Sequence, residues 1–295
     1  MPSLIDIRRR IRSVRNTQQI TKAMKMVSTA RLRRAQERVF NARPYSDLMR
    51  GMLSDVVARI EANRPPGEEA PLHPLLARRP EQKVLLLVLS GDKGLAGAFN
   101  TNIMKAAQAF LAEHGAKRQE IGLIAIGRKG RDFFRRRHPL AAEYVNIFSR
   151  VTYDNARQIG GLVIDRFTAA QCDAVYLLYN EFKTILTQRL VVERLLPLEP
   201  IPGKAGEAWI DFIYEQPPEE IYRHLLPRYV EVQVFRALLE SAAAEHAARM
   251  TAMDSATNNA AEMIEHITLN MNRIRQASIT KEIIEIVSGA AALGE

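Results

Sequence analysis

The glycine-rich segment SGDKGLAGAFN, residues 90–100, is the best candidate for a phosphate-binding site in this sequence. It follows the aliphatic run KVLLLVLS and leads into a helical pattern, so its backbone amides could surround an anion. Gly91, Gly94 and Gly97 have the spacing G-x-x-G-x-x-G, which matches neither the dinucleotide fingerprint nor the Walker A pattern. Glycines are also used in tight turns between a strand and a helix. We interpret the segment as such a turn, and an anion cradle or a surface loop for a partner are the alternatives.

Other residue types that carry catalysis are scattered along the chain. No H-E-x-x-H motif, no closely spaced histidine pair and no G-x-S-x-G motif occurs. The single cysteine, Cys172, excludes an intramolecular disulfide and a multi-thiolate metal site, and we expect a buried structural thiol. The sequence therefore predicts no catalytic centre, no cofactor and no metal site. The histidines are His73, His114, His138, His224, His246 and His266.

The positive charge is confined to one segment. The formal net charge is +9, and residues 1–43 contain twelve Lys and Arg against Asp6 and Glu37, a net charge of +10. The segment GRKGRDFFRRRHP, residues 127–139, is also basic and could bind a phosphate backbone, although inward packing of Phe133 and Phe134 explains it equally well. A basic coiled-coil protein that binds nucleic acid is therefore one hypothesis, and a nucleotide-binding α/β enzyme with helical extensions is another.

The N-terminal segment has the pattern of a long helix. Between Ser3 and Arg43 there is neither proline nor glycine, and apolar residues recur at spacings of three and four. Pro44 predicts a kink or a short break, after which the helical pattern resumes. The predicted apolar stripe consists of Leu4, Ile7, Ile11, Val14, Ile20, Met24 and Val27, with Ala23 and Ala30 beside it.

The C-terminal segment predicts a second long helix. Residues 229–288 contain neither proline nor glycine, and sixty helical residues would extend about 90 Å. Two such helices most simply pair as an antiparallel coiled coil. The last eight residues, SGAAALGE, form an apolar tip that could slide inside a surrounding surface, or a frayed terminus. The predicted seam positions are Phe235, Leu239, Ala242, His246, Met250, Met253, Ala260, Ile264, Ile267, Met271 and Ile274.

The middle of the chain alternates short β-rich runs with helical stretches, which indicates a largely parallel sheet. KVLLLVLS, IGLIAIG and AVYLLYNEF are the predicted strands, and QRLVVERLLPL is predicted as an edge strand. The longest aliphatic run has six residues, far too few to span a bilayer, and no secretory signal is visible, so we expect a cytoplasmic protein. The predicted fold is α/β: a long antiparallel coiled coil of N- and C-terminal helices with an inserted Rossmann-like α/β domain. Its parts are a helix over 1–63, a linker over 64–79, the α/β domain over 80–205, a return segment with Trp209 over 206–228, and a helix over 229–295.

Several segments resemble the gamma subunit family of bacterial F-type ATP synthases. The two most specific are QQITKAMKMVSTARLRRAQ, residues 18–36, and MNRIRQASITKEIIEIVSGAAAL, residues 271–293. ARPY at 42–45, SGDKGLAGAFN at 90–100 and EHAARMTAMDSATNNA at 245–260 follow in the family's order.

The resemblance implies a rotor shaft rather than an enzyme. Such a shaft passes through a hexamer of alpha and beta subunits, binds the epsilon subunit, rests on the c-subunit ring and leaves catalysis to the beta subunits. It also implies a peripheral position at the cytoplasmic face of the bacterial inner membrane, proton-driven rotation and no binding of nucleic acid. The chloroplast-type cysteine pair is missing, so we expect no thiol control.

The resemblance also implies individual contact residues. Arg275 and Gln276 match the family's pair that contacts the catch loops of beta. Arg249 and Thr280 match positions tied to energy coupling, and Met24 matches a position that faces the acidic lever segment of beta.

Overall fold

Two long helices flank a five-stranded sheet in the order of the chain. The computed structural model describes residues 4–63, 73–117, 119–198 and 216–292. They divide into two compact units, one formed by residues 1–29 and 249–295 and the other by residues 30–248. The elements are α1 (Leu4–Asn63), β1 (Lys83–Leu89), α2 (Phe99–Ala116), β2 (Glu120–Ile126), α3 (Arg128–Phe134), β3 (Leu140–Tyr144), α4 (Tyr153–Thr168), β4 (Ala174–Phe182), β5 (Gln188–Leu196) and α5 (Pro218–Ala292).

The sheet has the strand order β3-β2-β1-β4-β5. β1, β2, β3 and β4 are parallel, and β5 pairs with β4 in the antiparallel direction at the edge. All of β1 except its first residue is buried, as expected for a central strand covered on both faces. The predicted α/β fold and its four predicted strands, including the edge strand β5, are therefore confirmed, whereas β3 at the other edge was not predicted.

Within residues 30–248, the buried carboxylate of Glu240 on α5 forms hydrogen bonds to both the sheet and α1. Glu240 is 4% exposed. It accepts hydrogen bonds from the guanidinium of Arg43 at 3.1 Å and from the backbone N–H of Phe182, the last residue of β4, at 3.1 Å. The charge is thus both paired and hydrogen-bonded, the condition under which a carboxylate can be buried.

Both long helices continue through a proline. α1 is helical across Pro44, so of the two predicted alternatives, a kink or a short break, the break is wrong. α5 begins at Pro218 and runs through Pro227, eleven residues before the predicted start at Tyr229. A proline in a helix removes one hydrogen bond and costs about 3 kcal/mol. Tyr222, Leu226 and Val230 are at most 2% exposed around Pro227, and their packing offsets that cost.

The predicted stripe on α1 is correct in its first part and wrong in its second. Ile7 and Ile11 are buried, but Ile20 and Val27 are 59% and 53% exposed, and Ala23 and Ala30 are exposed as well. Steps of four and three residues from Val14 reach the polar residues Gln18, Thr21, Lys25 and Ser28. They do not reach Ile20 or Val27. The inward positions of this part of α1 are Leu4, Ile7, Ile11, Val14, Gln18, Thr21, Lys25 and Ser28.

Every predicted seam residue of α5 is at least half-buried, although from Tyr229 to Asp254 all sides of the helix are buried or half-buried and burial alone does not mark one seam there. Leu239, Ala242, Met253 and Ala260 are buried, and the other seam residues are half-buried. From Ile279 to Ser288 every side chain is exposed. Across the residues that the structure describes, no helix combines the length and the apolar character needed to cross a bilayer. Part of the predicted linker (residues 64–72) and the first part of the return segment (residues 206–215), including Trp209, lie outside the described residues.

Cys172 is buried, as predicted, at 4% exposure. Burial, with the nearby Asp173 carboxylate, raises the pKa of its thiol to about 11. Only the thiolate reacts with alkylating agents, so about a thousandth of the thiol is reactive at pH 8. We expect the native chain to resist iodoacetamide at pH 8 and the urea-unfolded chain to take up one label, as read by mass spectrometry. Rapid labelling of the native chain would contradict the buried position.

Candidate functional site

The glycine-rich segment forms the predicted turn between β1 and α2, and its polar side chains bond backbone amides of the α/β domain. The carboxylate of Asp92 accepts hydrogen bonds from the backbone N–H groups of Arg128, Asn146 and Phe148 at 3.0, 2.9 and 3.1 Å, which ties the turn to the start of α3 and to the connection between β3 and α4. Within the segment, the N–H of Gly91 donates to the side-chain oxygen of Asn100 at 2.8 Å. A turn held in place by an acidic side chain supports the structural interpretation rather than an anion cradle.

The outer part of the same turn exposes an apolar side chain. Leu95 is 65% exposed and has a φ of 61°, in the left-handed region that leucine rarely adopts. A strained, exposed leucine fits the alternative of a surface loop for a partner, which stays a prediction.

Two of the histidines screened for catalysis have structural contacts. His114 is buried, stacks on Phe110 with ring centroids 3.7 Å apart, and its Nδ1 lies 2.9 Å from the carbonyl oxygen of Phe110. Nδ1 of His73 accepts a hydrogen bond from the N–H of Leu75 at 3.1 Å. Among the described residues, no three His, Cys, Asp or Glu side chains are grouped closely enough to hold a metal ion.

The basic segment at 127–139 also packs as the structural interpretation predicted. Phe134 is fully buried, and Phe133 meets it edge to face at 4.9 Å between ring centroids. The guanidinium of Arg137 covers the ring of Phe133 at 4.2 Å, so this aromatic ring is already engaged within the chain.

The strongest candidate for a binding surface is the unit formed by residues 4–29 of α1 and residues 249–292 of α5, which we call the helix pair. Lys25 Nζ contacts Asp254 Oδ1 at 2.6 Å, and the hydroxyl of Thr257 donates to that of Thr21 at 2.8 Å. Residue numbers rise on one helix as they fall on the other, so the two helices are antiparallel. The interior of the helix pair combines apolar, polar and charged side chains, and its buried residues are Ile7, Ile11, Thr21, Ser28, Arg249, Met253 and Ala260.

Arg275 and Gln276 lie on α5 just beyond the residue opposite the first described residue of α1. The contacts of residue 21 with 257 and of residue 25 with 254 place Leu4, the first described residue of α1, opposite approximately Ile274. The helix then continues to Ala292, about 25 Å further. Arg275, Gln276 and Thr280 are all exposed, and the hydroxyl of Thr280 donates to the carbonyl oxygen of Gln276 at 2.9 Å. The structure thus brings these three candidates together on one helical segment.

The same part of α5 carries exposed aliphatic side chains. They are between 48% and 71% exposed, which is unusual for a row of large apolar residues in water. The apolar tip predicted at 288–295 is helical up to Ala292, and its last three residues lie outside the described part. The exposed aliphatic residues are Ile279, Ile283, Ile284, Ile286 and Val287.

The remaining two candidates differ in accessibility. Met24 is half-buried and lies between Ile20 and Val27 on the outward face of α1, at spacings of four and three residues. Arg249 is 7% exposed, so its side chain is enclosed by the chain itself. Sequence reasoning could not predict that burial, because arginine is rarely buried unless it is paired.

A family model described as ATP synthase matches residues 3–293. The chain belongs to the ATP synthase family. Its relatives in that family are gamma chains: the ATP synthase gamma chain of Solibacter usitatus (strain Ellin6076) is 57% identical over 293 residues, 99% of each chain. The ATP synthase gamma chain of Anaeromyxobacter sp. (strain Fw109-5) is 50% identical over 294 residues, with 99% of this chain and all of the relative covered.

Solved structures agree with this ATP synthase membership. A chain from the central stalk and c-ring of the Tetrahymena thermophila mitochondrial ATP synthase matches with a TM-score of 0.61 and 26% identity, and the match covers 80% of this chain and 99% of that one. A chain of the Euglena gracilis mitochondrial ATP synthase has a TM-score of 0.63 at 19% identity, with 98% and 94% covered, which supports the fold.

Proposed function

We propose that the chain is the central rotor shaft of a bacterial F-type, proton-translocating ATP synthase. It transmits rotation of the c-subunit ring to conformational changes in the catalytic beta subunits, and it is itself a non-catalytic subunit. The observation that carries this proposal is the exposed surface of the helix pair, on which Ile20, Val27 and the aliphatic residues from Ile279 to Val287 face outward.

That surface suits a rod enclosed by other subunits. Burying an exposed isoleucine stabilises a complex by about 1.5–3 kcal/mol, and Ile20, Val27 and the aliphatic residues after Thr280 are available for it. Aliphatic surfaces make no directional bonds, so a rotating rod can pass from one contact to the next. We therefore place the alpha and beta hexamer around the helix pair.

Arg275 and Gln276 would supply the directional contacts to that hexamer. Both side chains are exposed at the point where α5 leaves α1. A guanidinium can bind a carboxylate through two parallel hydrogen bonds, and an amide both donates and accepts. Thr280 lies one turn beyond them, on the side of Gln276, and we assign it to the same contact.

Arg249 would act on coupling from inside the chain. Its side chain is buried, so it cannot reach a partner without a rearrangement of its surroundings. We propose that it fixes the position of α5 within the helix pair, and that its effect on coupling is indirect.

The α/β domain would bind the epsilon subunit and help to seat the shaft on the c ring. The whole complex is membrane-bound through other subunits, and we place this chain at the cytoplasmic face of the bacterial inner membrane as a peripheral component.

Reconstitution tests the proposal as a whole. The chain is co-expressed with alpha and beta subunits from its own genome and purified through beta, and subunit composition and ATPase activity are measured. We expect three alpha, three beta and one copy of this chain in an active complex. Failure to join that assembly, together with salt-dependent binding of duplex DNA, would refute the shaft and support the nucleic-acid hypothesis.

Met24→Lys tests the outward face of α1. We expect this substitution to reduce the protons pumped per ATP hydrolysed, because a lysine there would form an extra ion pair with the acidic lever segment of beta, a bond to a charged group worth about 1.5–3 kcal/mol. Proton pumping and ATP hydrolysis are measured together in membrane vesicles that contain the complex.

Met26→Lys is the matched control, since Met26 is 61% exposed and lies about 200° around the helix from Met24. Normal pumping per ATP in Met24→Lys would contradict the assigned contact. An equal loss in both variants would point to a general effect of charge on the helix pair.

A further inference from the structure

A pocket with an arginine rim lies within the unit of residues 30–248. Its volume is about 290 Å³. Arginines from two separate parts of the chain line it, three on α1 and one on the connection between β3 and α4. We call it the arginine pocket, and its charged lining consists of Arg31, Arg34, Arg38 and Arg150, with His246 of α5 beside them.

The helical geometry of α1 directs three of these arginines to one side. At about 100° per residue, positions 31, 34 and 38 fall within roughly 60° of one another. Arg33 lies about 130° around the helix from the mean direction of these three, and it forms an i,i+4 ion pair of 3.5 Å with Glu37. The basic segment seen in the sequence is thus divided into a face that is neutralised locally and a face that lines the pocket.

The charge of the pocket is not balanced by protein groups. Its lining includes no Asp or Glu. None of Arg31, Arg34, Arg38 and Arg150 has a carboxylate partner among the residues that the structure describes. Four like charges held at one concave site raise the local potential and favour the entry of an anion.

The floor of the pocket strengthens the interaction with an anion. Phe148, Leu239 and Ala242 line it and are at most 7% exposed. Next to apolar, low-dielectric side chains, the attraction between an arginine and an anion is stronger than in open solvent. The N-terminus of the sixteen-residue helix α4 begins at Tyr153, three residues after Arg150, and its dipole adds to the same sign of potential.

We propose that the arginine pocket binds an oligophosphate: pyrophosphate, triphosphate or the phosphate chain of a nucleotide. Guanidinium groups bind phosphate oxygens through two parallel hydrogen bonds, and four of them match the charge of a compact ion with three or four negative charges. A volume near the lower limit of about 300 Å³ for ligand pockets suits a phosphate chain better than a whole nucleotide. An acidic peptide would spread its single charges along the chain and match this concentration of arginines less well.

Calorimetric titration of the full-length chain with sodium pyrophosphate and sodium triphosphate, at constant ionic strength, tests the proposal. We expect saturable binding that an equal concentration of sulfate does not displace. In the variant Arg34→Gln with Arg38→Gln, affinity should fall at least about tenfold for each arginine removed, which is about 1.4 kcal/mol each. Arg33→Gln is the matched control, because it removes one positive charge from the other side of the same helix and should change affinity less than about twofold.

Titration with AMP, ADP and ATP shows which part of a nucleotide the pocket binds. A phosphate-chain site is supported if AMP binds weakly and if the affinities of ADP and ATP equal those of the inorganic ions. Unchanged affinity in the double variant overturns the proposal, and so does an equal loss in Arg33→Gln, which would indicate general electrostatic attraction. A glutamate decapeptide that binds as tightly as pyrophosphate overturns it in favour of a protein partner. Circular dichroism of each variant verifies that these exposed substitutions leave the fold intact.

Discussion

Deletion of residues 275–295 is expected to abolish ATP-driven proton pumping by the assembled complex while leaving the fold of the chain intact. The inward positions of α5 that face α1 extend to Ile274, and every residue from Ile279 to Ser288 is exposed. The deletion therefore removes surface available to partners and almost none of the buried contacts. We expect at least a tenfold loss of pumping, which corresponds to about 1.4 kcal/mol of lost coupling, measured in reconstituted vesicles.

A shorter deletion distinguishes the two parts of this surface. Removal of residues 288–295 takes away the apolar tip but retains Arg275, Gln276 and Thr280, so pumping should largely survive if the polar contacts dominate. The urea midpoint of the isolated chain should be the same for both deletions and the parent. Full pumping after removal of 275–295 would show that this surface is not needed, and a lowered urea midpoint would show that folding, not contact, accounts for a loss.

The central strands were predictable because they are buried on both faces. β1 after its first residue and the first six residues of β4 are uninterrupted aliphatic or aromatic runs, a pattern that surface strands do not show. β5 was predictable as an edge because Arg189, Glu193 and Arg194 interrupt its apolar residues. β3 is a short strand, only partly buried, and its sequence LAAEY carries no such pattern.

α1 was harder to predict because it carries two apolar patterns. Ile20 and Val27 lie outward, while Thr21 and Ser28 take the inward positions. A rule that assigns apolar residues to the inside selects the wrong face when a partner outside the chain also needs an apolar surface. The error on α1 is thus itself informative about function, since it marks the residues that are free to be covered by another subunit.

The candidate site residues were also predictable only in part. Resemblance named Arg275 and Gln276, and the structure adds the reason for their exposure, which is that α5 continues past the described start of α1. The resemblance could not reveal that Arg249 is buried, because burial depends on packing against distant parts of the chain. The arginine pocket was also invisible in the sequence, since Arg150 lies more than a hundred residues from Arg38.

Gly127→Ala is expected to be the most destabilising single substitution proposed for this chain. Gly127 joins β2 to α3 with a φ of 98°, and an added Cβ would lie 1.9 Å from the backbone oxygen of Ser90. A non-glycine residue in such a conformation costs about 1–3 kcal/mol, and relief of the clash would separate β1 from β2, whose ends are joined by the bond from Ser90 N–H to Ile126 O at 2.8 Å. We expect a total loss of roughly 4 kcal/mol or more in the free energy of unfolding, measured by urea denaturation.

Gly161→Ala is the control: Gly161 lies inside α4 with nothing within 4 Å of the new Cβ, so the same added methyl group should stabilise the helix by about 0.5–1 kcal/mol. A Gly127→Ala chain that unfolds within about 1 kcal/mol of the parent would mean that the turn after β2 can relax, and that Ser90 does not hold β1 and β2 together at this end.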